Sequence, residues 1–414
     1  MISRIWHGWT TPENADAYEA LLKREIFTGI QNRNIPGYRG IQLLRRQLTD
    51  EVEFVTEMWF DSLDAVRLFA GEDYEVAVVP AKARELLSRF DARSQHYEVQ
   101  ANRRTKDPEP IRLGKSKLEH AQRFIEDHCR PLEAARLHVV FNNTPVETVI
   151  KELAGYQNPD GGFGRALEPD LRTPDSSALA TSVAFQIMRE IGAANNELAA
   201  PAIAYLLKTI DESRLRWSMI PESAENSPHA PWWNQSGLQE SFGFFRLNPT
   251  AELLGYLYDY SELVPIKMID ALSDQILLRL KALDGIGMHD FLSAKRLAET
   301  KNLKSSYRQA LLEQLFRLMD SVLVRDPDQW ADYGLKPLQV AGSPGSPFYS
   351  ALQELVPVNL DYEITRQNED GSWPVSWSWG GLFPETWEIA RMEWAGVITL
   401  RQLIDLKNYD RIEG

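Results

Sequence analysis

Three carboxyl residues fall within the stretch Glu168-Pro169-Asp170-Leu171-Arg172-Thr173-Pro174-Asp175, which closely follows the glycine-rich run Gln157-Asn158-Pro159-Asp160-Gly161-Gly162-Phe163-Gly164. One of these carboxyls could serve as a general acid in a loop that reaches a cavity mouth. The same oxygens are also hard donors of the kind that bind divalent cations. Glu168 and Asp170 are therefore the candidate catalytic pair. Asp175, just before Ser176-Ser177, has the position of a helix N-cap. A third catalytic candidate is His229 in Pro228-His229-Ala230-Pro231-Trp232-Trp233, where prolines stiffen the backbone around an imidazole that titrates near neutrality. Trp232 and Trp233 beside it are candidates for lining an apolar pocket.

Five of the chain's twelve tryptophans, Trp373, Trp377, Trp379, Trp387 and Trp394, lie close together near the C-terminus. Indole faces line hydrophobic cavities and attract cations. Trp377 and Trp379 sit in a Gly-flanked loop and are expected to contact a ligand. Trp387 and Trp394 are seven residues apart and are expected on the core face of one helix. Near the N-terminus the residues with chemical potential are His7, Trp59, Asp73 and His96.

Positioning these residues takes two kinds of architecture. Residues 1–99 alternate: Ile2, Arg4, Trp6 and Gly8 share one face of a strand, and Ser3, Ile5, His7 and Trp9 the other. A helix comes next, with Tyr18, Leu21, Leu22, Glu25, Ile26 and Ile30 at helical spacing, and Ile35-Pro36-Gly37 stops it. Strands at Gly40–Arg46 and Val52–Phe60, helices at Ser62–Ala70 and in the 80s, and a strand at Ser94–Val99 complete a β-α-β-β-α-β order, the ferredoxin-like α+β unit. Its second sheet face lacks helices, so aromatic residues there imply a homodimer. Residues 100–112, with the charged, proline-containing run Ala101–Pro110, read as a linker.

Residues 113–414 are helical throughout, with periodic segments at Glu119–Ile125, Val146–Gly155, Ser177–Ile191, Ala200–Ile210, Pro249–Tyr260, Ile266–Leu283, Tyr307–Leu323 and Trp387–Leu406. Two breaks share one signature, Gln157-Asn158-Pro159-Asp160-Gly161-Gly162-Phe163 and Gln367-Asn368-Glu369-Asp370-Gly371-Ser372-Trp373. Asp-Gly supplies a tight turn with glycine at positive φ, and the glutamine amide can bond free backbone groups at a helix end. Leu283-Asp284-Gly285-Ile286-Gly287 reads as an eroded third copy. A recurring turn in a helical chain predicts a closed array of helical hairpins.

Composition narrows the function classes. The chain has 414 residues with Lys+Arg 45 against Asp+Glu 59, a net charge of −14, which argues against non-specific nucleic-acid binding. One cysteine, Cys129, excludes an intramolecular disulfide framework and a cysteine-rich zinc site. There is no signal-peptide h-region and no run of apolar residues long enough for a membrane span, so a cytoplasmic protein is expected. No P-loop, G-x-G-x-x-G, H-E-x-x-H or G-x-S-x-G occurs.

Two family resemblances add to this reading. Through Ile5-Trp6-His7-Gly8, Pro36-Gly37-Tyr38-Arg39-Gly40, Leu44-Arg45-Arg46, Phe69-Ala70-Gly71-Glu72-Asp73 and His96-Tyr97-Glu98-Val99, residues 1–99 resemble the antibiotic biosynthesis monooxygenases, dimeric α+β barrel proteins. That resemblance implies a dimer, with His7 and Trp59 as substrate-binding candidates. Heme-degrading relatives use an Asn-Trp-His set; here Trp59 matches and His7 stands in the place of Asn. The Q-x-x-D-G-S-W segment resembles the repeat of squalene and hopene cyclases, and Asp160–Gly164 that of protein prenyltransferase β subunits. Both imply an all-α (α/α)6 toroid around an apolar cavity. The D-x-D-D acid and the D-D-x-x-D metal motif of such cyclases are absent, as is any Asp-Asp pair. Cys129 precedes the first repeat and does not match a prenyltransferase zinc ligand. The expectation is an α+β barrel domain fused to a toroid that acts on a hydrophobic, isoprenoid- or polyketide-like small molecule without cofactor or metal. A non-catalytic carrier of such a ligand, and a toroid lyase or glycosidase acting on sugar, are the alternatives.

Overall fold

The computed structural model describes residues 1–33, 35–100, 109–193, 196–234 and 246–413. Most of the expected linker, residues 101–108, lies outside the described residues. The chain forms two compact units, Met1–Glu109 and Pro110–Gly414.

The first unit is an antiparallel sheet backed by helices. Strands β1 (Ile2–Thr10), β2 (Tyr38–Gln47) and β3 (Val52–Phe60) pair in the order β2-β3-β1. Residues in β3 alternate buried and half-buried along its whole length, with Val52, Phe54, Thr56, Met58 and Phe60 inward. The even residues of β1 share that face. It is covered by α1 (Pro12–Leu21), which runs through a π-helical turn into α2 (Phe27–Asn32), and by α3 (Leu63–Ala70). Tyr18 of α1 meets Phe54 edge-on at 5.1 Å, and Phe69 of α3 meets Phe60 at 5.7 Å. Ser62 caps α3 by accepting from the Ala65 amide.

The 80s helix is short, α4 (Ala81–Leu86), and the last strand is preceded by one the alternation did not reveal. β4 (Arg89–Phe90) pairs with Gly8 and Trp9, and β5 (Gln95–Glu98) with Ile2–Ile5, so both continue along the same edge of β1. Between them the Trp6 indole donates to the Asp91 carbonyl and the Asp91 amide to the His7 carbonyl. The chain bends there, leaving pieces too short to show a period.

The second unit is mostly helical. Its helices are α5 (Lys115–His128), α6 (Pro131–Asn142), α7 (Glu147–Ala154), α8 (Ala178–Glu190), α9 (Ala199–Thr209), α10 (Thr250–Asp259), α11 (Ile266–Lys281), α12 (Met288–Ala298), α13 (Ser305–Met319), α14 (Pro337–Val340), α15 (Tyr349–Leu352), α16 (Leu355–Thr365) and α17 (Pro384–Asn408). Apolar periodicity marks most of the longer ones but misses α6, α12 and α16. All three turn polar side chains inward: Glu133 and Arg136, Ser293 and Lys295, Asn359 and Glu363. An amphipathic pattern fails where the buried face itself is charged.

The two repeated turns use the same hydrogen bonds. Gln157 donates to the Gly161 carbonyl and to the Leu198 carbonyl at the start of α9; Gln367 donates to Gly371 and to Lys117 in the first turn of α5. Asp160 and Asp370 accept from the amide two residues on, and the Phe163 and Trp373 amides donate to Thr181 and Thr399. Gly161 and Gly371 have φ of 90° and 92°. Leu283–Gly287 does not repeat this: Gly285 is not left-handed, and the Ile286 amide simply donates to the Ser321 hydroxyl oxygen. Nor does Asp175 cap α8. Ser177 does, accepting from Ala180 at 2.9 Å, while Asp175 takes the Ser223 hydroxyl.

The second turn brings the end of the helical unit onto that unit's beginning. Leu113 pairs with Ile412 as an isolated bridge, and α17 packs on α5 and α6. Among the described residues no helix is long and apolar enough to cross a membrane.

A Cβ on Gly161 would stand 2.2 Å from the Pro201 carbonyl oxygen, and one on Gly371 would stand 2.3 Å from the His120 carbonyl carbon. Gly161→Ala and Gly371→Ala are expected to cost at least about 1–3 kcal/mol from backbone strain alone, seen as a lower Tm. Gly285→Ala, whose Cβ would meet nothing nearer than 3.6 Å, should be close to neutral.

Candidate functional site

Loops between helices of the second unit carry the site. After the first Asp-Gly turn, Arg165 and Ala166 both adopt left-handed backbone, with φ of 55° and 61°. Two consecutive non-glycine residues in that region are strained and must be held. Arg130 holds them: its guanidinium donates to the Ala166 and Leu167 carbonyls at 3.0 and 3.1 Å and forms a bidentate pair with the buried Glu133. The loop then pairs with the one carrying His229. Arg172 donates to Pro228, Ala230 donates to Asp170, and Leu171 bridges His229. The Arg172 side chain closes on Glu393 of α17.

This places Glu168 and Asp170 inside the protein, 8% and 3% exposed. Burial raises both pKa values, and the causes that oppose it differ. Asp170 accepts from the Trp379 indole at 2.7 Å. The Trp394 and Trp377 indole N–H groups also favour its charged form without closing hydrogen bonds of normal geometry. A charge-assisted hydrogen bond contributes about 1.5–3 kcal/mol, a large fraction of what desolvating a carboxylate costs. The Asp170 pKa is raised by burial and pulled back by these donors. Glu168 is pushed well above the usual carboxylate range by burial first and the Asp170 charge second, against weaker help from Arg130 and nearby amides. Its Oε2 is buried without a hydrogen-bond partner. Of the two, Glu168 is therefore the carboxyl that holds its proton more firmly.

The tryptophans interleave around this pair. Trp377 meets Trp394 edge-to-face at 5.1 Å and 77°, and Trp379 meets Trp387 at 5.6 Å. Trp394 is therefore a site residue rather than the core residue its spacing implied. Two tryptophans two apart in an extended loop, matched to two that are seven apart on the next helix, were the available signal. Trp379 and Trp233 belong to a small separate core with Leu171, Met219, Ile220, Ala224, Ala230 and Ala390, so both support the floor beneath Asp170. Trp232 stays 42% exposed, while Phe383 meets the His229 ring at 5.9 Å.

His229 lies beside Asp170 in the chain pairing but has both ring nitrogens engaged, Nδ1 with the Ser227 carbonyl at 2.7 Å and Nε2 with Asn234 at 3.0 Å. It anchors the loop, and its geometry offers no free nitrogen for proton shuttling. Two residues that no motif or spacing marks belong here instead. Tyr333 meets Trp377 edge-to-face at 6.0 Å, and its hydroxyl is 2.8 Å from His289 Nε2. Burial, then the Asp170 and Glu168 charges, raise the phenol's pKa; burial and Arg296 lower that of His289 against the opposing charge of Asp290. Both side chains are solvent-exposed yet desolvated by their surroundings, as expected of groups lining a concave surface.

In the first unit, His7 Nδ1 lies 3.0 Å from Glu53, and its ring stacks on Trp9. Trp59 pairs across from Ser3, four residues along β1 from His7 or about 13 Å, so the sheet does not bring the two together. A groove of about 550 Å³ along β5 is lined by Tyr74, Glu75, Arg93 and His96 among others, and an internal cavity of about 50 Å³ by Arg4, Trp6, Tyr18 and Met58. His7 and Trp59 line neither. His96 contacts Arg4 at 2.8 Å, and Asp73 pairs with Arg93. Among the described residues, no group of three or more His, Cys, Asp or Glu could hold a metal ion.

No protein-family model matches this chain, and a search of curated proteins finds no match. A crystal structure of a protein from Actinoplanes aligns with a TM-score of 0.36 at 12% identity, covering 70% of this chain and 98% of that one.

The raised Glu168 pKa predicts a stability signature. Below its unfolded value, about 4.3, Glu168 is protonated folded or unfolded, and its contribution is fully present. As pH rises above that value the unfolded state gains by ionising, and stability is lost until the folded pKa is passed. Glu168→Gln removes this term, so the variant's Tm relative to wild type should climb steadily from pH 4 to 7. Thermal melts across that range test it; a flat difference would contradict the assignment.

Proposed function

We propose that the helical unit is a closed α/α array whose loops form the active site of an acid-initiated enzyme. Glu168 donates a proton to a bound small molecule, and Asp170 remains as the negative charge that stabilises the cation formed. The observation that carries this is the split of the buried pair: one carboxyl with an orphaned Oε2, the other held by the Trp379 indole. The closed array is supported by the matched turns and by the Leu113–Ile412 pairing that returns the end of the helical unit to its own start.

The ligand class is set by the polar groups that remain unsatisfied. Arg172 is spent on Glu393, His229 on Ser227 and Asn234, and Tyr333 on His289, while the indole N–H groups face Asp170. A sugar would need many free donors and acceptors. One available acid among aromatic rings suits a hydrophobic substrate with one protonation point, isoprenoid- or polyketide-like. The first unit serves as a homodimerising platform of monooxygenase type. The half-buried Ile5, His7, Trp9, Val55 and Trp59, on the sheet face opposite α1 and α3, support that role.

Native mass spectrometry of the protein from its own host should show a dimer with an apolar adduct. Turnover of that compound by Glu168→Ala should fall at least about 100-fold while its binding stays within tenfold. Turnover that survives the substitution would overturn the assignment of Glu168 as the acid.

A further inference from the structure

Trp377 occupies a corner. Trp394 meets it at 77° and Tyr333 at 78°, with ring centroids 5.1 and 6.0 Å away. The three rings come from three separate segments, and none of the contacts is between chain neighbours. Tyr333 is fixed by His289, whose ring nitrogen holds its hydroxyl at 2.8 Å although the tyrosine is 55% exposed. Asp170 lies at the N–H edges of these indoles: it accepts from Trp379, and the Trp394 and Trp377 N–H groups also favour its charged form. Glu168, more than nine-tenths buried, leaves Oε2 without a partner beside it.

Near-perpendicular aromatic walls near a carboxylate have a known chemical use. Aromatic faces carry negative potential, and the attraction for a cation grows as water is excluded. Alkylated ammonium groups suit such walls because they offer charge without hydrogen-bond donors, and so lose little by leaving water. The Asp170 charge adds a direct Coulomb term that a neutral ligand of the same shape does not receive. A simple ammonium or guanidinium fits less well, since its several donors would find few acceptors among the rings.

We propose that Trp377, Trp394 and Tyr333, with the Asp170 carboxylate near the indole N–H edges, form a binding site for an alkylated ammonium group carried on a small organic molecule. The proposal rests on the same loops being the ligand site, but not on Glu168 as the acid. It also assigns His289 a positioning role, because it holds Tyr333 in the wall.

The test compares choline with its neutral carbon isostere, 3,3-dimethyl-1-butanol, by calorimetry on the full-length protein. Choline should bind at least about tenfold more tightly than the isostere, the range that a desolvated cation–π contact provides. Asp170→Asn should weaken choline at least fivefold while leaving the isostere unchanged. Tyr333→Leu, at an exposed position where folding is safe, should weaken choline and leave Tm near wild type. Equal affinity for the two probes, no binding of choline, or choline binding that survives both substitutions would each overturn the proposal. Failure here with Glu168-dependent turnover intact would leave the acid assignment standing; choline binding without such turnover would leave a binding site and remove the enzyme.

Discussion

The helical unit depends on one device used twice: a glutamine amide that ties its own Asp-Gly turn to the opening turn of another helix. Gln157 reaches the start of α9 and Gln367 reaches α5, across 250 residues in the second case. Each turn puts a left-handed glycine against the backbone it touches, where no side chain fits. Both turns lead directly into a loop of the site. The first delivers Glu168 and Asp170, the second Trp377 and Trp379. The Trp379–Asp170 hydrogen bond therefore joins the products of two copies of one local motif.

Electrostatics in that loop region is set by burial outweighing every local donor. Asp170 has the Trp379 indole as a close partner and Glu168 has none at Oε2, so the two carboxyls separate in proton affinity although they lie two residues apart. Arg130 contributes from below, fixing strained backbone rather than pairing with either acid. The same habit of burying paired charge recurs among the helices. Glu252 takes Gln186, Tyr256 and Arg296, and Asp405 takes Arg401. These networks are costly to break because each partner would be left buried and alone.

The first unit obeys simpler rules. Alternation along β1 and β3 sorts most residues to the helix-covered face or the other, and Arg4 on the covered face is a guanidinium buried among the carbonyls of Tyr74 and Val76 with His96. Burial lowers its pKa to about 10.

Residue periodicity and local backbone chemistry were enough to read the class of each unit, most of the long helices, and the two matched turns down to the bonding of their glutamines. Residue type and loop position also singled out Glu168, Asp170, Trp377 and Trp379. Helices α6, α12 and α16 stayed hidden, because their inward faces carry charged and polar side chains that break the apolar period. The place of Trp394, Tyr333 and His289 in the site was equally hidden, as was the engagement of both nitrogens of His229. The place of Tyr333 hangs on contacts between segments more than 40 residues apart, with Trp377 and with His289, whereas that of His229 depends on how its own loop folds around Ser227 and Asn234. Which groups water can reach, and which carboxyl finds a donor and which keeps its proton, are settled once the chain has packed, because desolvation and hydrogen-bond partners come from distant segments.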